Sequence, residues 1–252
     1  MSPMPHLCAA LAAALILAGG LSPKLSAQAL TGYTLKAGPT LAMQRWNDFD
    51  RDPLLGYHAD LQVERIDFAR PTSFYASLGY HQRGSAIRTR ATRFVDPVSG
   101  EERVFRPESI RFVFHNLALA LGGKQHYGLG AHRGFVSFAL RGEYNLATDL
   151  GDGGAGGLNF GYGTSFPVPE FTRDVLYGAD LGVGAELALG ARADALVELR
   201  LSPDMSAQYD QPALRFSNVV TGNNEVAAER TISNVSVELS VGLRFLPEAA
   251  FE

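Results

Sequence analysis

The chain is a succession of stretches in which apolar and polar residues alternate. The clearest is Asn234 to Phe245, NVSVELSVGLRF. Val235, Val237, Leu239, Val241, Leu243 and Phe245 share one face, and Asn234, Ser236, Glu238, Ser240, Gly242 and Arg244 the other. A period of two is the signature of a β-strand with unlike faces. The same pattern predicts strands over Tyr33 to Gln44, Gly56 to Arg65, Ser73 to Arg83, Phe135 to Leu146, Leu176 to Leu189 and Ala191 to Leu201. A further segment, Arg111 to Leu121, is less regular: His115 stands on its apolar face, and Phe112 and Phe114 occupy the other. These segments make about eight strands, with no helical periodicity of useful length to compete with them.

The connections differ in length. Those after the first, third, fifth and seventh strands are the longer: WNDFDRDPLL, Gly84 to Ile110, Ala147 to Val175 and Ser202 to Ser233. Those after the second and sixth are short, IDFARPT and Gly190 alone, and the fourth, GGKQHYGLGAHRG, is compact and glycine-containing. Short turns at one rim and long loops at the other characterise outer-membrane barrels.

Alternation alone does not say which face points inward. The polar faces carry Gly38, Gly79, Gly182, Gly184 and Gly242, which weaken a strand but make room for long neighbours in a narrow lumen. They also carry charges of both signs: Lys36, Arg83, Arg141, Arg192, Arg200 and Arg244 with Asp60, Glu64, Glu143, Asp180, Glu186, Asp194, Glu198 and Glu238. Such a set can cross-link a lumen through ion pairs, as buried charges require. Aromatic residues stand toward the ends of apolar faces (Tyr33, Tyr57, Phe74, Tyr144, Tyr177, Phe245), where interfacial girdles belong. Together these features predict an antiparallel up-and-down transmembrane β-barrel with its apolar faces toward lipid.

Residues 1–29 stand apart from this pattern. An apolar run from Cys8 to Leu21 is followed by Ala27-Gln28-Ala29, a small-x-small cleavage pattern. The run is short for a spanning helix, which needs about 20 apolar residues. We therefore expect a cleaved signal peptide at 1–29 and one barrel domain over 30–252, reaching the bacterial outer membrane. Cys8 is the only cysteine and falls in the leader, so a disulfide framework and a thiolate metal site are not expected. The net charge is −4, and losing Lys24 with the leader makes the mature chain slightly more acidic. Nucleic-acid binding, which needs a basic stripe, is not supported.

YTLKAGPTLA, GYHADLQVE, FYASLGYHQRGSAI and VELSVGLRF resemble the small outer-membrane β-barrel family typical of Bacteroidetes, of the PorT-type or OmpX-like class. The resemblance covers most of the mature chain and implies about eight antiparallel strands, both termini in the periplasm and long loops outside. Two features depart from it. The segment containing His115 is irregular, and LPEAAFE follows Phe245, so that the last aromatic stands one place before the terminus.

The candidate chemistry is sparse. His115 with Ser109 and Glu108 is the nearest approach to a hydrolytic set, without spacing that supports a triad. His126 and His132 share one predicted turn and match no familiar metal-site spacing. NDFDRD has Pro53 where a calcium loop needs glycine and Ala59 where it needs glutamate. GDGGAGG lacks the Gly-Lys-Ser/Thr of a phosphate loop. Arg88, Arg90, Arg93, Arg103 and Arg106 make the second long loop basic. We expect no enzyme activity and no cofactor. The expected partners are outer-membrane lipid and a surface ligand taken by the external loops, with the barrel a monomer.

Overall fold

The computed structural model describes residues 29–46, 51–67, 70–88, 91–95, 100, 102–105, 109–130, 132–150, 169–190, 192–217 and 224–246. The leader, NDFD, the GDGGAGG segment, Glu108 and the tail after Leu246 lie outside these residues.

Thirteen strands follow in chain order: β1 (Ala29–Trp46), β2 (Asp52–Asp67), β3 (Thr72–Arg88), β4 (Thr92–Val95), β5 (Glu102–Phe105), β6 (Ser109–Leu129), β7 (His132–Thr148), β8 (Val175–Ala188), β9 (Ala193–Pro203), β10 (Tyr209–Gln211), β11 (Leu214–Ser217), β12 (Asn224–Ala227) and β13 (Arg230–Phe245). Eight of them, in the order β1-β2-β3-β6-β7-β8-β9-β13, pair with their neighbours, and β13 returns to β1 to close the ring. Every pairing is antiparallel. The closing seam runs from Tyr33 opposite Phe245 to Trp46 opposite Ile232. The two small hairpins, β4-β5 and β11-β12, lie in the long loops.

Exposure decides the inside from the outside. Leu35, Leu140 and Val241 are 60%, 62% and 61% exposed, whereas Arg83, Glu238 and Arg244 are 0% exposed. A water-soluble barrel would invert this, because bare leucine and valine cost free energy in water and unpaired buried charge costs far more. The outward wall also carries aromatic residues toward both ends: Tyr33, Phe74, Tyr127 and Phe245 at the short-turn end, and Tyr57, Tyr80, Tyr144 and Tyr177 at the long-loop end. The chain is an antiparallel up-and-down transmembrane β-barrel of eight strands.

Strand limits differ from the expected ones in instructive ways. β6 runs to Leu129 and β7 begins at His132, so GGKQHYGLGAHRG is mostly strand. Its glycines mask the alternation that places Lys124 and His126 inward. β8 ends at Ala188 and β9 begins at Ala193, so more than Gly190 alone separates them. Consequently Arg192 is exposed between the two strands and does not belong to the lumen set, because β9 starts at Ala193.

Two lumen glycines are required by close approach. A Cβ at Gly79 would sit 1.9 Å from Asp60 Oδ1, and one at Gly182 would sit 2.6 Å from Glu198 Oε1. In a ring this narrow, the space a charged side chain fills comes from a glycine on the neighbouring strand, directly opposite for Asp60 and two positions off for Glu198.

Candidate functional site in the barrel interior

The interior is stratified along the barrel axis. At the long-loop end it is apolar. Ile110, Phe112 and Phe114 of β6 pack with Leu150, Tyr209 of β10 and Ile232 of β13, and Trp46, Ile87 and Phe171 close against them. Trp46 meets Phe112 edge-on at 5.6 Å, and Phe171 meets Tyr209 edge-on at 6.1 Å. The Arg51 guanidinium lies 3.4 Å from the Trp46 ring centroid and 4.9 Å from that of Phe112. This is cation–π geometry at the edge of the cluster. The irregular segment thus has a physical cause: Phe112 and Phe114 face inward because they plug the barrel, and although the pairing with β3 is continuous, the pairing with β7 shifts between His115 and Asn116.

Beneath the plug lies a layer of neutral amides. Gln44 donates to Asn234 at 3.0 Å, Asn234 donates to Gln208 at 2.8 Å, and Asn145 donates to Asn116 at 2.9 Å. Asn116 also donates to Gln208 at 3.3 Å, and Ser85 donates to Gln44 at 2.6 Å. Buried amides need such partners, having both donors and acceptors to satisfy.

The middle of the lumen is ionic. Lys36 meets Glu198 at 2.5 Å, and Arg200 meets Asp60 at 2.8 Å and Glu238 at 3.6 Å. Arg83 meets Glu143 at 2.9 Å and Asp204 at 3.6 Å. Arg141 joins Glu143 at 2.6 Å, Asp204 at 2.7 Å and Asp180. His81 lies between two carboxylates, with Nδ1 2.9 Å from Glu238 and Nε2 3.0 Å from Asp60. An ionised carboxylate only accepts, so both ring nitrogens donate and the ring is an imidazolium. Its stacked neighbour His58, 5.7 Å away, instead meets the hydroxyls of Thr40 at 3.0 Å and Ser240 at 2.8 Å. Register places some of these pairs directly opposite one another: Glu238 with Arg200, Arg244 with Asp194, and Lys36 with Asp60.

At the short-turn end, Lys124 meets Glu64 at 2.8 Å, while Arg244 meets Glu186 at 2.6 Å and also Asp194. Of the sequence-predicted lumen residues, all but Arg192 line this interior and take part in its ion pairs. His81, Lys124, His126 and Asp204 were not among them. Lys124 and His126 were hidden in an apparent turn, Asp204 lies just past the end of β9, and His81 carried a visible signal beside Arg83 on the same face of β3.

His115 points outward. Its Nδ1 accepts from the Tyr80 hydroxyl, and its Nε2 lies 3.3 Å from Asp149. Tyr57 lies beside Tyr80, its ring tilted by 32° at a centroid distance of 5.6 Å. Ser109, the expected hydroxyl partner of His115, is six positions away at the exposed start of β6.

No protein-family model and no curated protein matches the chain. Among solved structures it is similar to neisserial surface protein A (11% identity, 85% of this chain and 96% of that one, TM-score 0.45). It is also similar to the outer membrane protein OprG of Pseudomonas aeruginosa (8% identity, 86% and 97%, TM-score 0.48) and to outer membrane protein W of E. coli (11% identity, 87% and 100%, TM-score 0.33). The chain's own closed ring, apolar outer wall and charge-paired interior are the architecture of a small outer-membrane β-barrel protein.

Proposed function

We propose that this is a non-enzymatic protein of the bacterial outer membrane, exported by a cleavable leader and monomeric, with a structural or surface-binding role carried by its long-loop end. Kinship with the PorT-type or OmpX-like barrels is part of this reading and rests on the strand patterns quoted above. The observation that carries it is the interior. An apolar plug, an amide layer and a paired-charge layer succeed one another across the lumen, and the largest of their side chains, Arg83, Phe114 and Arg244, are fully buried. A ring of eight strands is just wide enough for side chains to fill.

Planar-bilayer recording on the refolded protein tests this. We expect no steady conductance from the native chain. A reproducible ohmic channel would favour the alternative of a narrow porin or transport accessory. The remaining alternative, a lipid-modifying enzyme, draws on the outward Tyr80–His115–Asp149 relay. Lipid A of unchanged mass on overexpression would set it aside.

A further inference from the structure

His126 is inward-facing on β6 and its side chain is 9% exposed, where the sequence alone suggested a solvated turn. Its hydrogen bonds fix its proton. Ser73 Oγ donates to Glu64 Oε1 at 2.5 Å, which uses the hydroxyl hydrogen. The 2.9 Å contact between His126 Nε2 and Ser73 Oγ is therefore donated by the ring. Nε2 also lies 3.3 Å from Glu64 Oε1. Nδ1 makes no hydrogen bond among the described residues and faces Glu186 Oε2 at 3.7 Å. Both oxygens of Glu186 are likewise buried without a hydrogen-bond donor in acceptable geometry, although cations stand near them.

A buried nitrogen this close to a carboxylate oxygen calls for positive charge between them, which a ring proton or a metal ion supplies. Here one ligating atom from each of Glu64, His126 and Glu186 lies within 4.8 Å of the other two. We propose that His126 and Glu186, with Glu64 backing the imidazole, form a binding site for a divalent transition cation of the zinc class at the short-turn mouth of the barrel. The donor set suits such an ion: one imidazole nitrogen and carboxylate oxygens. With metal–ligand bonds of about 2.0–2.2 Å, a single ion reaches both His126 Nδ1 and Glu186 Oε2. The imidazole is held from behind by Nε2–H to Ser73 and onward to Glu64, an arrangement that orients a ligating histidine and raises its basicity.

Three side-chain cations already stand by these carboxylates, and their positions say which one yields. Lys124 holds Glu64 through Oε2, and Arg244 holds Glu186 through Oε1. Beside His126 itself, the cation near Glu186 Oε2 among the described residues is Arg133, at 3.2 Å. It is 28% exposed and has Asp194 within 3.7 Å as a second partner. The incoming ion takes the place of Arg133 on Oε2, and Arg133 keeps Asp194.

Cobalt(II) titration of the full mature barrel, refolded in detergent and freed of metal, tests the site by visible d–d absorption. We expect absorption that saturates at a single equivalent, is lost in His126→Gln and in Glu186→Gln, and survives in His132→Ala. Arg133→Ser should bind cobalt more tightly than the native chain. Absence of absorption would overturn the site, as would binding that survives His126→Gln or disappears with His132→Ala, which marks a surface histidine. Folding of each variant is read from its gel shift on boiling. If His126→Gln fails to fold, Arg133→Ser decides, because it leaves every ligand in place: tighter binding upholds the site, and unchanged or weaker binding overturns it.

Discussion

The two ends of the lumen are filled by opposite chemistry on the same strands. Toward the middle and the short-turn end, the inward positions of β1, β3, β9 and β13 are Lys36, Arg83, Arg200, Glu238 and Arg244, each held by carboxylates or cations from across the ring. At the long-loop end, the inward positions of β6 and β13 are Ile110, Phe112, Phe114 and Ile232. The difference follows from what stands opposite. In the middle, the lumen is lined mainly by strands, and a narrow ring is bridged most readily by long side chains that meet tip to tip. At the long-loop end, chain returns into the mouth, with Leu150, Tyr209 and Phe171 supplying compact apolar surface. Ion pairs give a lumen specificity more than net stability, since desolvation offsets much of their attraction. The plug gains from burial and close packing, which need no partner of opposite sign.

The largest effects should come from breaking one member of either region. Glu238→Ala would take one of two carboxylates from the His81 imidazolium and leave it and Arg200 sharing Asp60, at a cost of up to about 3–5 kcal/mol, read as a lower urea midpoint in micelles. Phe114→Ala would open a cavity in the plug at a similar cost of about 3–5 kcal/mol. The two regions then part company. Replacing both Lys36 and Glu198 by apolar residues of similar volume should be near neutral, within about 1–2 kcal/mol and of either sign, because no charge is left unpaired. No such paired rescue exists for the plug, where even Ile232→Val should cost about 0.5–1.5 kcal/mol. Smallest of all should be Arg173→Ala. Its pair with Asp210 is 50% and 45% exposed, so the loss should stay below about 1 kcal/mol and shrink further in salt.

The same contrast explains what the sequence made visible. Period-two alternation reports the wall directly, since every strand must show lipid one face and the lumen the other. NVSVELSVGLRF carries that message in twelve residues, with Glu238 and Arg244 meeting partners on β3, β8 and β9. Fold class and most of the charged interior follow from it. The plug does not, because Leu150, Tyr209 and Ile232 come from three separated segments and only the closed ring brings them to Phe112 and Phe114. In one dimension, those phenylalanines look like a slipped register. Lys124 and His126 were hidden for a local reason: Gly122, Gly123, Gly128 and Gly130 give their stretch the composition of a turn. Arg192 was misplaced by the opposite error, an alternation extended two residues beyond the start of β9.

The assignment of inside and outside underlies all of this, and β13 offers the most direct measurement of it. Cys8 is the only cysteine in the sequence and lies before the barrel strands, so in a barrel produced without it single cysteines at Val237, Leu239 and Val241, and at Ser236 and Ser240, can each take a nitroxide label after refolding into lipid vesicles. Collision rates with oxygen, which concentrates in the bilayer, should alternate along the strand. They should be high at Val237, Leu239 and Val241 and low at Ser236 and Ser240, where the side chains are buried among the lumen charges. The reverse alternation, or uniform low oxygen accessibility at all five sites, would contradict a transmembrane barrel with a charged interior.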